Sequence, residues 1–145
     1  STNPIGAILS IDIPFDDGSV ICSDYSANQW KFTTLKAPGD GNHPVSGTRE
    51  FGFELDSNGG LNFYTRGVDR ITDNVTLLFG GRNGRRVFEG ADNLWLSFQS
   101  GLENFVNANG GQANKADPII GRPDWDKVED FLQGNGSIND LGCNN

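Results

Sequence analysis

Apolar and polar positions alternate through the first half of the chain and repeat at three-four spacing through the second. Ala7, Leu9, Ile11 and Ile13 fall on one side of an extended segment, with Ile8, Ser10 and Asp12 on the other. That alternation predicts a strand over 7–13, ended by Pro14. Asp16-Asp17-Gly18 reads as a turn and Val20–Cys22 as a short second strand, making a hairpin. Gln29–Leu35 places Trp30, Phe32 and Thr34 on one face. The clearest strand is Arg49–Leu55, where Phe51, Phe53 and Leu55 share a face with Arg49. Asp56–Gly60 is a hairpin turn. Leu61–Arg66 returns with Leu61, Phe63 and Thr65 on one side and Asn62, Tyr64 and Arg66 on the other. Gly67 is expected to mark a bulge. Val68, Asp69 and Arg70 then continue the strand or turn out of it.

From Val87 to Asn109 the period changes. Phe88, Ala91, Trp95, Phe98, Leu102 and Phe105 form an apolar stripe, widened by Leu94 and Val106, and Gly110-Gly111 stops it. A second helix begins with Asp124 as its N-cap, turns Trp125, Val128, Phe131 and Leu132 inward, and ends near Gln133 before Gly134. Strands first and helices afterwards predict an α+β fold, an antiparallel sheet with two helices packed on one face. Neither a repeat nor a long linker divides the chain, so a single domain over 1–145 is expected.

Composition changes this picture little. Twenty Gly imply a loop-rich fold, and ten Phe with three Trp supply core material. The formal charge of −8 argues against a protein that coats nucleic acid broadly. A local basic patch can still act against that field. The apolar runs are too short to span a membrane. With no Met in the chain, a mature secreted form or a piece of a longer protein is expected. Cys22 and Cys143 lie near opposite ends; a disulfide between them would close a loop of about 120 residues and stabilise by roughly 4 kcal/mol. That bridge is expected ahead of two free buried thiols. Asn74-Val75-Thr76 and Asn135-Gly136-Ser137 are sequons that matter only in a eukaryotic secretory route.

The charged residues cluster. Six of the seven arginines lie between Arg49 and Arg86, and the only histidine, His43, stands just upstream in the loop Ala37–Pro44. Pro44 keeps His43 extended, and loops are where reactive groups often sit. Gly80–Arg86 reads as a flexible basic loop carrying Arg82, Arg85 and Arg86. It lacks the strand-then-helix context and the Lys-Ser/Thr of a P-loop, so it is either a solvated loop or a clamp over an anion. Asp12, Asp16, Asp17 and Asp24 do not have EF-hand spacing and read as turn residues. One His, two distant Cys and no His-Glu-x-x-His leave no zinc site, and neither metal nor cofactor is expected. There is no Gly-x-Ser-x-Gly nucleophile elbow.

Metal-free cleavage of RNA needs a base for the 2′-hydroxyl, an acid for the leaving oxygen and cations for the charged phosphorane. In that reading His43 is the acid or base, Arg49 and Arg66 bind phosphate, and Tyr64 donates or stacks. Asp69 orients a partner, and Thr65, Arg70, Arg82, Arg85 and Arg86 add substrate contacts. RNA comes first as substrate, a nicotinamide dinucleotide next. The alternative is a non-catalytic extracellular module whose arginines grip a sugar acid, a phosphate headgroup or an acidic partner. A third is a structural interaction domain.

The stretches His43-Pro44-Val45-Ser46-Gly47-Thr48-Arg49-Glu50-Phe51-Gly52 and Phe63-Tyr64-Thr65-Arg66-Gly67-Val68-Asp69-Arg70 resemble C-terminal effector modules of bacterial polymorphic, Rhs-type toxins. The resemblance covers less than a third of the chain. It implies a secreted or delivered antibacterial module, often a nuclease, with an immunity protein as partner. The chain departs from the nuclease modules in being acidic and in having a single His.

Overall fold

Five strands form one antiparallel sheet in the order β1-β2-β3-β4-β5, each beside its neighbour in sequence. They are β1 Ile8–Ile13, β2 Asp16–Ser26, β3 Gln29–Leu35, β4 Val45–Leu55 and β5 Leu61–Ile71. Two helices follow, α1 Arg85–Ala108 and α2 Trp125–Leu132, then a 3-10 turn over Ile138–Leu141. This computed structural model describes residues 3–13, 16–40, 45–72 and 85–141. The expected α+β order is what the chain adopts. By internal contacts it divides into two compact units, 1–88 and 89–145.

In the first unit the register sorts side chains onto two faces. Cys22 stands opposite Phe32, Phe32 opposite Arg49, and Trp30 opposite Phe51, so these share a face with Phe53 and Phe63. Tyr25, Trp30, Phe32 and Phe51 run across it as ring contacts with centroids 4.7, 6.2 and 6.1 Å apart. Such offset and edge contacts suit the aromatic quadrupole. Cys22, opposite Phe32 on this face, is 1% exposed and is a free thiol. The expected bridge is therefore not made at Cys22, and Cys143 lies outside the described residues.

The strands extend further than alternation alone suggests. Asp16, Asp17 and Gly18, expected as a turn, belong to β2 and pair with Ile13, Asp12 and Ile11. The bulge falls between Cys22 and Asp24, not at Gly67, where β4 and β5 stay in unbroken register. One extra residue shifts the alternation. Ser23 and Asp24 therefore both serve the polar face, while Cys22 and Tyr25 stay on the apolar one.

Turn chemistry fixes the β4–β5 hairpin. Asp56 Oδ1 accepts the N–H groups of Asn58 (2.7 Å) and Gly60 (2.8 Å), and Gly59 takes φ +81°. The turn closes on the pair Leu55↔Leu61, which sets every later pair down the hairpin.

In the second unit α1 ends in a Schellman motif: Gly110 has φ +84° and the Gly111 N–H donates to the Val106 carbonyl at 3.0 Å. The chain then returns along the helix. Asn107 exchanges two hydrogen bonds with the Ala113 backbone, Lys115 reaches Ser100 Oγ at 2.6 Å and, through its N–H, Glu103, and Arg122 pairs with Asp92. The Asp124 side chain caps α2 by accepting from the N–H groups of Asp126 and Lys127.

Candidate functional site

The hairpin register parts the predicted residues. His43 and Arg82 lie outside the described residues. Arg85 and Arg86 are not in a loop; they are the first two residues of α1. Arg49, Thr65 and Asp69 stand on the apolar face, and Tyr64, Arg66 and Arg70 on the polar one. The group expected to converge is thus two groups with the sheet between them.

On the apolar face Arg49 Nη2 donates to Asp69 Oδ2 at 2.9 Å, and Nη1 approaches Thr65 Oγ1 at 3.5 Å. The guanidinium lies over Gly67, where an added Cβ would stand 2.7 Å from Nη2. Gly67 is there to make room, not to bulge. The two side chains are 16% and 23% exposed, so this pair is a partly buried strut between β4 and β5. An arginine so committed is poorly placed to grip substrate.

The polar face is organised by Glu50, a residue to which alternation along one strand assigns no role. Its Oε1 accepts from Tyr64 Oη at 2.9 Å, Arg66 Nε at 3.0 Å and Arg66 Nη2 at 2.6 Å. Lys31 Nζ stands 3.6 Å from Oε2 and 3.3 Å from Asp24 Oδ2. Asp24, Lys31, Glu50 and Arg66 therefore make a row of alternating charge across four strands. The bulge at Ser23 is what brings Asp24 into it. Arg66 also lies 4.6 Å from the Tyr64 ring centroid, and Tyr64 is seated over Gly52.

The electrostatics follow from this packing. Burial pushes the Glu50 carboxyl up, but the bonds from Tyr64 and Arg66, with the charges of Arg66 and Lys31, outweigh it and hold Glu50 below its usual 4.5. Burial and the Glu50 bond together raise Tyr64 above 10.0. The Glu50 bond raises Arg66 against some desolvation. At neutral pH the cluster is a carboxylate facing a phenol and two cations. Among the described residues all three hydrogen bonds go to Oε1, and Oε2 faces the Lys31 ammonium at 3.6 Å.

One further feature lies along the same face. Pairing of β3 with β4 stops at Thr33↔Thr48, and beyond it the Thr34 hydroxyl bridges the Gly47 N–H (3.1 Å) and C=O (3.3 Å). Where the strands part there is an open depression of about 310 Å³, lined by Thr33, Ser46, Thr48, Val68 and Arg70 among others. Ser23, Thr33 and Thr48 link hydroxyls at 2.8 and 3.1 Å along its edge. Among the described residues no carboxylate forms an ion pair with Arg70.

Glu50 was within reach of the sequence. Closing Asp56–Gly60 on Leu55↔Leu61 and counting back pairs Glu50 with Arg66. Among the described residues no group of three or more His, Cys, Asp or Glu converges as a metal site. No helix among them is long and apolar enough to cross a membrane. No family model, curated protein or solved structure matches this chain.

Proposed function

We propose that the polar face of the sheet is an acid–base site for phosphodiester cleavage without a metal, with RNA as the first substrate to test. The observation that carries this is the Glu50 carboxylate, anchored through Oε1 and paired at Oε2 with Lys31 alone among the described residues, on a side chain 11% exposed, with Arg66 on its other side. In this reading Oε2 takes the proton of a ribose 2′-hydroxyl. The 2′-oxygen attacks phosphorus and the bond to the 5′-oxygen breaks. A general acid protonates that leaving oxygen, giving a cyclic phosphate and a 5′-hydroxyl. Arg66 and Lys31 offset the charge of the phosphorane, and Tyr64, held protonated, fixes the carboxylate. Solvent is the candidate acid: Glu50 lies about 16 Å along β4 from its first residue, Val45, and His43 lies outside the described residues. The setting we infer is a secreted or delivered bacterial effector with an immunity protein as partner.

The test is RNA incubated with the protein in excess chelator, with product ends identified. Glu50→Gln keeps an acceptor for Tyr64 and Arg66 but has no basic oxygen. It is expected to slow cleavage by about 10²–10⁴-fold, the usual worth of acid–base catalysis. Full activity in a folded Glu50→Gln chain, or no cleavage by the wild type, rejects the proposal.

A second reading is a non-catalytic module that recognises an anionic ligand. It is favoured by Arg70, which lines the depression with Ser46, Thr48 and Thr33 and forms no ion pair among the described residues. Phosphate-ester binding that survives Glu50→Gln, without turnover, selects it.

A further inference from the structure

The polar row of β5 runs Tyr64, Arg66, Val68, Arg70, and its two ends differ. Beyond Tyr64 comes Asn62, which pairs with Glu54, a carboxylate that repels phosphate. Beyond Arg66 comes Val68, 82% exposed, and then Arg70 at the depression with Ser46, Thr48 and Thr33. Arg66 is itself well exposed, its side chain at 65%, so a guanidinium edge remains open to solvent despite the Glu50 bonds. Four residues of strand separate the two arginines by about 13 Å. One phosphate cannot touch both.

We infer that this row is an extended subsite for a single-stranded phosphodiester chain, which lies along β5 from the Glu50 cluster to the Arg70 depression. One phosphate sits at Arg66 and Lys31, a later one at Arg70 among the threonine and serine hydroxyls. The sugar or base between them rests on Val68. The inference rests on the phosphodiester reading of the Glu50 cluster and adds a direction and a minimum length: the preferred ligand is an oligomer, not a mononucleotide. The chain's negative field is no obstacle at this spot. Asp24, Lys31, Glu50 and Arg66 cancel, Asp69 at the depression is paired with Arg49, and among the described residues no carboxylate forms an ion pair with Arg70.

Binding of 2′-methoxy oligonucleotides to the full chain tests this, because they lack the proton that cleavage removes. Affinity is expected to rise from mononucleotide to trinucleotide and then level off. Arg70→Ala should remove that rise, weakening the longer ligands about tenfold and lowering the salt slope of log affinity by about 0.7. Val68→Glu, on an outward position, should do the same without disturbing the sheet. If RNA is cleaved but affinity is flat with length, or indifferent to both substitutions, the inference falls and the cleavage reading stands. If the rise is present and needs Arg70 but no RNA is cleaved, the subsite stands and catalysis falls. If no oligonucleotide binds, both are overturned.

Discussion

Glycine and a large polar side chain face each other three times across the β4–β5 ladder: Gly47 with Asp69, Gly52 with Tyr64, and Gly67 with Arg49. A missing side chain on one strand is what lets a phenol, a carboxylate or a guanidinium fold flat over the other. At Gly52 a Cβ would stand 2.5 Å from Tyr64 Oη and 3.0 Å from the Asn28 carbonyl. Gly52→Ala should therefore destabilise by about 1–3 kcal/mol in urea unfolding, as overpacking does, and lift Tyr64 off Glu50. NMR titration of that variant should find the Glu50 pKa moved upward. At Gly67 the obstacle is the far end of a flexible arginine, which can swing aside, so the cost should be smaller. Acid has a defined effect too. The folded Glu50 carboxyl titrates below its unfolded value of 4.5, so its contribution is complete above that value and is lost as pH falls through the lower, folded one. Tyr64 acts oppositely: raised above 10.0, it contributes fully below that value and loses its part as pH climbs through the folded one. Urea midpoints measured across acid pH should fall in the wild type, and the Glu50→Gln chain should lack that portion of the fall.

The elements show what alternation and periodicity can carry. The helix expected over 87–109 is Arg85–Ala108, and Asp124 caps α2 as its position before Trp125 indicated. Local chemistry decides such ends, so they are legible one residue at a time. Asp124→Ala should cost about 1 kcal/mol, read by thermal unfolding in circular dichroism. Gly134 has φ +81°, and Gly134→Ala should cost about 1–2 kcal/mol from the left-handed backbone. The strands were legible as faces, which is why Phe51, Phe53 and Arg49 were rightly placed together. What could not be read one strand at a time was pairing. Asp16 and Asp17 look like turn residues until Asp12 and Ile13 pair with them. Gly67 looks like a bulge until Arg49 is seen above it. Arg49 and Tyr64 look like members of one site until the register puts a sheet between them. Glu50 was missed for the same reason: its meaning lies wholly in its cross-strand neighbours.

At the scale of the whole molecule the chain keeps one apolar group fully out of water among the described residues, the Cys22 thiol at 1% exposure. In a Cys143→Ser chain it should react slowly with a thiol reagent in buffer and fast once urea opens the sheet, which makes it a built-in probe of the first unit's integrity. The order of the strands has a consequence of its own. Each strand pairs with the one just before or after it in sequence, so no stretch of chain waits for a distant partner before its bonds can close. Loop closure is short at every step, and speed of folding follows the nearness of contacts along the chain. The sheet should refold within about milliseconds to a second of denaturant dilution, as stopped-flow fluorescence of Trp30 would record in a chain carrying Trp95→Phe and Trp125→Phe. A chain assembled hairpin by hairpin can regain its polar face soon after emerging in extended form from a ribosome or a narrow passage.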